Sequence, residues 1–151
     1  MDVQLQYSYF PVREAEMKAR IEYQTLNLGE PFHVGDAIVT PTLLNHPVID
    51  LGYRIDCNGK SVFFTGDHEP YLNIYDPTDP EYAGYQRIVD EKQAQVDAAI
   101  RGVDVLIADC SYTLAEYPAK RGWGHGTFDA GIEFARRVGA KRLVCTHHEP
   151  T

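Results

Sequence analysis

Leu51-Gly52-Tyr53-Arg54-Ile55-Asp56-Cys57-Asn58-Gly59-Lys60-Ser61-Val62-Phe63-Phe64-Thr65-Gly66-Asp67 reads as a β-hairpin that ends in an acid. Leu51–Asp56 and Ser61–Thr65 are strand-like arms. Asn58-Gly59 between them tolerates the positive φ angles of a tight two-residue turn. The second arm is mostly apolar, so Asp67 emerges at the end of a buried strand.

The chain repeats this device on both sides. Upstream, Phe32 to Leu44 reads as a hairpin turning at Gly35-Asp36, and its second arm runs into His46 of Leu44-Asn45-His46-Pro47. Before it, Ile21 to Leu28 alternates in strand fashion, and residues 7–20 form a short amphipathic segment behind Tyr9-Phe10-Pro11. Downstream, residues 69–83 are rich in Pro, Asp and Tyr and read as a loop. The pattern of Tyr85, Ile88, Val89, Val96, Ala99 and Ile100 predicts a helix stopped by Gly102. Val103–Asp109 is a strand, again ending in an acid. A second loop carries Trp123 and His125. Phe128, Ile132, Ala135 and Val138 mark a helix closing at Gly139, and Lys141–Thr146 is a last strand that delivers His147. Strand-rich first, then helix–strand–helix–strand, this order predicts one layered α/β domain without repeat or linker.

The 151 residues, 44% of them hydrophobic, suffice for one domain with a core. The formal net charge of -8 argues against a broad basic surface for nucleic acid, though not against a small anionic substrate. No apolar run approaches the ~20 residues needed to span a bilayer. The first residues, Met1-Asp2-Val3-Gln4, lack signal-peptide features, so the expected location is cytoplasmic. Cys57, Cys110 and Cys145 are odd in number and widely spaced, which predicts buried thiols rather than disulfides.

His46, Asp67, His125 and His147 all stand where a strand or its following loop runs out. Imidazoles and a carboxylate in that setting suit Zn²⁺, Mn²⁺ or Fe²⁺. Taken singly, each has a plainer meaning. His46 before Pro47 reads as a cap, Asp67 as a turn acid, and His125 as a solvated loop residue. His147-His148-Glu149 has no obvious packing purpose. The ordered set carries the chemistry.

That order resembles the second half of the metallo-β-lactamase-fold hydrolases, in the phosphodiesterase-like branch with ribonuclease Z and phosphoribosyl cyclic phosphodiesterases. The phrases that carry it are Leu44-Asn45-His46-Pro47 with Leu51-Gly52-Tyr53-Arg54-Ile55, then Phe64-Thr65-Gly66-Asp67-His68-Glu69-Pro70. Asp104-Val105-Leu106-Ile107-Ala108-Asp109-Cys110-Ser111-Tyr112-Thr113, Gly122-Trp123-Gly124-His125-Gly126-Thr127 and His147-His148-Glu149-Pro150 complete it.

The resemblance implies an α/β fold, the C-terminal half of an αββα sandwich. It implies two divalent metals, Zn or Mn or alternatively Fe, and a shared hydroxide that attacks a phosphodiester. His46 would ligate the first metal, Asp67 would bridge, and His147 would ligate the second, with His148 as second choice. His125 would serve the leaving group, and Asp109 would orient it. The implied substrate is a small anionic phosphodiester, and the chain could form a homodimer.

The sequence departs from the family in lacking its upstream His-x-His-x-Asp-His, since only His33 precedes His46. Residues 1–151 are therefore expected to be a single partial domain whose first half is missing, inactive or nearly so alone. Gly126 also replaces a more usual Ser or Ala. Two alternatives stay open. One is a degenerate, non-catalytic module that binds a partner through its open sheet edge. The other is a thioester hydrolase of the same fold.

Overall fold

The computed structural model describes residues 16, 18–20 and 22–148. Six strands and two helices follow in the order β1 (Phe32–Val34), β2 (Ala37–Leu43), β3 (Leu51–Cys57), β4 (Lys60–Phe64), α1 (Tyr82–Ile100), β5 (Val105–Asp109), α2 (Phe128–Val138) and β6 (Arg142–Thr146). The strands make one sheet in sequence order. β1 to β4 are antiparallel, as hairpins require, and β4, β5 and β6 are parallel, each pair joined across a helix. Asn58 and Gly59 adopt φ of 50° and 71°, as the sequence predicts for the turn between β3 and β4.

Two sequence expectations need correction. Residues 22–27 form no strand: they join no ladder of the sheet, whose edge is the short β1. Alternation alone makes a half-buried ribbon possible, but the ladder needs a neighbour. Second, α1 starts at Tyr82, three residues ahead of the first apolar position. The Asp79 carboxylate accepts the Glu81 amide at 2.8 Å and its carbonyl accepts the Tyr82 amide at 3.0 Å, which starts the turn without apolar help. The amphipathic segment expected over residues 7–20 lies largely outside the described residues.

Both helices pack on one face of the sheet. The core between them gathers Phe63 and Leu106 of the central strands with Val96, Ile100, Val103, Phe134 and Val138. Arg54 ties the hairpin to this layer: its guanidinium donates to the carbonyls of Ala99 and Arg101 at 3.1 and 3.2 Å, satisfying the C-terminal end of α1. Asp97 of α1 and Arg137 of α2 join the helices through two bonds of 2.6 and 3.0 Å. All three cysteines are free thiols. Only Cys110 is fully buried, and burial beside Cys145 pushes its thiol up to about 12, so it stays protonated and unreactive.

The other face is different. Side chains alternate along each strand, so Ile55, Val62, Phe64, Val105, Ile107 and Val144 align in register across β3 to β6. Phe64 is 42% exposed and Val144 41%, whereas Phe63 and Leu106 on the helix face are fully buried. One face is a finished core, and the other is an apolar surface.

Candidate metal centre

Four strand ends meet at one edge of the sheet. β4 and β5 are adjacent and parallel, so the loops after them leave from the same edge. Thr65 is fully buried, and its hydroxyl accepts the Asp109 amide at 3.0 Å and donates to the Gly66 carbonyl at 2.8 Å. This stitches the start of the Asp67 loop to the end of β5. β2 delivers Asn45 and His46 beside it: Glu69 N donates to Asn45 O at 3.0 Å, and Asn45 Nδ2 donates to Glu69 O at 3.1 Å. β6 ends at Thr146, and the next residue, His147, takes φ of 63°, a left-handed conformation that costs a non-glycine residue about 1 kcal/mol. Its carbonyl lies 2.7 Å from the Ser111 hydroxyl, whose single proton it shares with Asp109 Oδ1 at the same distance.

The carboxylate of Asp67 divides between two imidazoles. Oδ1 lies 2.8 Å from His147 Nδ1, and Oδ2 lies 3.8 Å from His46 Nε2. His46 Nδ1 sits 2.9 Å from the Val48 carbonyl, and a proton donated there leaves Nε2 bare and facing Asp67. His125 stands between the other two, its ring centroid 5.5 Å from that of His46 and 4.6 Å from that of His147. Its Nδ1 lies 2.7 Å from Asp109 Oδ2, which turns Nε2 away from the acid. Asp67, Asp109, His125 and His147 each bring one donor atom within 4.8 Å of the rest. His46 adjoins that group through Asp67. His148 stacks on Phe128 at 5.4 Å instead.

Asp109 is the buried hub, 4% exposed. Its carboxylate accepts from the backbone of His68 and Ser111, each at 3.1 Å, from the Ser111 hydroxyl at 2.7 Å, and pairs with His125. Two glycines are required by contact here. A Cβ on Gly66, at φ of 62°, would sit 2.7 Å from Asp50 Oδ2. One on Gly124, at φ of 96°, would collide with the His46 ring at 2.2 Å.

Three functional neighbours escape sequence reasoning. Asp50 sits next to the Asp67 loop with Oδ2 buried and unpartnered. Burial first, and then the charge of Asp67, raises its carboxyl above the ordinary range. Nothing in the sequence marks it, because it closes the loop between His46 and β3 as any turn acid would. His68 and Glu69 were visible only as the residues after Asp67.

His68 is 5% exposed, and burial lowers its imidazole to about 4. It stays neutral, accepts the Asn45 amide on Nδ1 at 3.3 Å and packs against Phe134 at 5.7 Å. An unfolded chain binds this proton from about pH 6.5 downward, and the folded one only near pH 4. Stability therefore falls as pH drops through that window, by roughly 3 kcal/mol from this group. Urea unfolding between pH 7 and 4 measures the loss. An imidazole resonance of His68 that titrates near 6.5 in the folded protein contradicts the assignment.

Glu69, 3% exposed, clamps the loop that carries His125. Oε1 accepts from the Tyr117 hydroxyl at 2.6 Å and the Gly122 amide at 2.9 Å, and Oε2 accepts from the Gly124 amide at 2.9 Å. Burial and this bond push the Tyr117 phenol upward. Glu69→Gln presents an amide N–H₂ where an acceptor is needed. The expected cost is about 1–3 kcal/mol, with faster amide exchange at Gly122 and Gly124 than across the sheet. Unchanged exchange at both amides would show that the loop holds itself.

A family model described as the β-lactamase superfamily domain matches residues 4–148. The metallo-β-lactamase fold protein YhfI of Bacillus subtilis superposes with a TM-score of 0.61 at 19% identity, over 85% of this chain and 43% of its own. The short form of human tRNase Z gives 0.55 at 20%, over 78% and 38%. A diphosphatase of the PhnP family gives 0.53 at 19%, over 84% and 38%. The chain thus spans less than half the length of these structures. No curated protein matches it by sequence.

Proposed function

The chain belongs to the β-lactamase superfamily, and on that footing we propose that it carries the second half of a metal-dependent phosphodiesterase site. The observation that carries the reading is the division of Asp67 between His147 at 2.8 Å and His46 at 3.8 Å. A carboxylate facing two separate imidazoles is what a bridge between two cations requires. The donor types fit borderline divalent metals such as Zn²⁺ or Mn²⁺. His46 and His147 would each hold one ion with a share of Asp67. Such ions supply Lewis acidity toward phosphoryl oxygens and a nucleophile at neutral pH.

The remaining chemistry belongs to His125 and Asp109. Asp109 accepts a hydrogen bond from Nδ1–H, which fixes the ring and stabilises the imidazolium. His125 Nε2 then donates its proton to the departing ester oxygen. This pair favours an oxygen ester over a thioester. A thiolate leaves readily without a proton, whereas an alkoxide does not. The names of tRNase Z and the PhnP-family diphosphatase place phosphate chemistry among the structural neighbours, which supports the same class.

Each ion would have only two donors among the described residues, and catalytic zinc normally takes about three. The test is hydrolysis of bis(p-nitrophenyl) phosphate with Mn²⁺ or Zn²⁺, by the chain alone and by the chain joined to an upstream His-x-His-x-Asp-His segment. The joined protein is expected to turn over and the chain alone to do so poorly. No metal-dependent activity in the joined protein would reject the reading.

The apolar second face of the sheet motivates a non-catalytic alternative, in which Phe64 and Val144 dock a partner or a second copy. Light scattering after size exclusion separates the two. A stable monomer that binds nothing counts against the docking role.

A further inference from the structure

A cavity of about 630 Å³ opens beside the proposed centre, between the loop after β4, the exposed side of α1 and the segment before His125. His46 forms part of its wall, and Gly124, packed against the His46 ring, forms another part. The cavity therefore adjoins the place where a phosphodiester would react through His46, whose Nε2 lies 3.8 Å from Asp67.

Its lining is chemically divided. Tyr71, Tyr85 and Val89 offer flat and apolar surface. Lys92 and Arg121 supply the charge: Lys92 Nζ stands 5.6 Å from the centre of the Tyr71 ring, and Arg121 Nη2 is anchored on the Asn73 carbonyl at 2.9 Å. Glu69 is the single acid in the lining, and its carboxylate is already engaged by Tyr117, Gly122 and Gly124. In a chain with 22 acidic and 14 basic residues, a cavity with two cations and one fully bonded acid is a local reversal of charge. It complements an anion, with aromatic surface from Tyr71 and Tyr85 in the same lining.

We infer that this cavity seats one ester arm of the substrate, and that the arm is a ring bearing a second acidic group recognised by Arg121 and Lys92. This rests on the phosphodiesterase reading and narrows it to phosphodiesters with an additional anionic charge beyond the scissile phosphate. The Glu69 clamp holds in place the loop that carries Arg121, so the specificity contact and His125 share one support.

Two ligands that differ by one carboxylate test the inference without turnover. Diphenyl phosphate and 4-carboxyphenyl phenyl phosphate are titrated into the full chain after removal of metal, with binding followed by ligand NMR or calorimetry. The carboxylated ester is expected to bind about tenfold more tightly, the scale of one charge-assisted contact. Arg121→Ala and Lys92→Ala should each shrink that ratio toward one, and two exposed positions on different segments guard against a folding artefact. Equal affinity for the two esters, or a ratio untouched in both variants, overturns the inference. A ratio without any metal-dependent hydrolysis upholds the cavity and counts only against the catalytic reading. Hydrolysis without a ratio overturns the cavity and leaves catalysis standing.

Discussion

Asp67→Ala is expected to abolish metal-dependent phosphodiester hydrolysis in the joined protein, by about 10³-fold or more, which is about 4 kcal/mol at 1.36 kcal/mol per decade. The size follows from position. Both carboxylate oxygens face imidazoles, at 2.8 and 3.8 Å, so one substitution removes a donor from two sites at once. Losing an outer partner of a metal ligand already costs about 10–100-fold in affinity. Calorimetry with Mn²⁺ should show both equivalents weakened together. Loss of one equivalent with the other intact would mean that Asp67 is not shared. The metal-free fold should respond in the opposite direction. The charge of Asp67 presses on the buried Asp50 carboxyl, so Asp67→Asn relieves a repulsion and leaves stability unchanged or slightly higher. A large fall in the unfolding midpoint would show that Asp67 is structural instead.

Asp109→Ala is expected to be the most damaging change to the fold, at about 3–5 kcal/mol. The side chain is buried, and its removal strands the amides of His68 and Ser111 and the His125 ring N–H together, while the Ser111 hydroxyl keeps the His147 carbonyl. Urea unfolding at pH 7 measures it, and a cost below about 1 kcal/mol would mean that water replaces the carboxylate. Asp109→Asn separates structure from chemistry. It keeps an acceptor for Ser111 but turns an N–H₂ toward His125, so part of the stability returns. The imidazole loses the partner for its Nδ1 proton, so the rate on a phosphodiester with an alkoxide leaving group should still drop by about 10²-fold or more, and the rate on the p-nitrophenyl ester by less. The pH dependence of the residual rate should shift as well, which a purely structural role would not produce.

The hairpins, both helices and the last strand are legible because each is encoded locally. Asn58-Gly59 dictates its own turn, Gly139 ends α2, and the mostly apolar run of Ser61 to Phe64 marks a strand. The failures have equally local causes. Residues 22–27 alternate but join no strand of the sheet, and α1 begins early because Asp79 starts the turn where no apolar period is visible. Ile88 and Ile132 keep the helical period yet remain 47% and 41% exposed, because they lie at the margin of faces that the sheet only partly covers.

His46, Asp67, Asp109 and His147 could be listed from the sequence, since each stands at or just after a strand end that is visible in hydrophobic pattern, and His125 from its glycine-rich loop. Their pairing is not written in that pattern and is expected only through the family resemblance. That Asp109 takes His125 while Asp67 takes His147 depends on β4, β5 and β6 being parallel and adjacent, which brings three loops to one edge. The supports are further from view: Asp50, His68 and Glu69 matter through burial and through contacts up to 55 residues away, such as Glu69 with Gly124. The sequence by itself determined the hairpins, the helices and the residue types that stand at the strand ends, because turn residues and side-chain periodicity act over a few positions. Only the tertiary structure decided which ends meet, which acid is buried, and where a cationic cavity opens, because those follow from sheet order and packing across the whole chain.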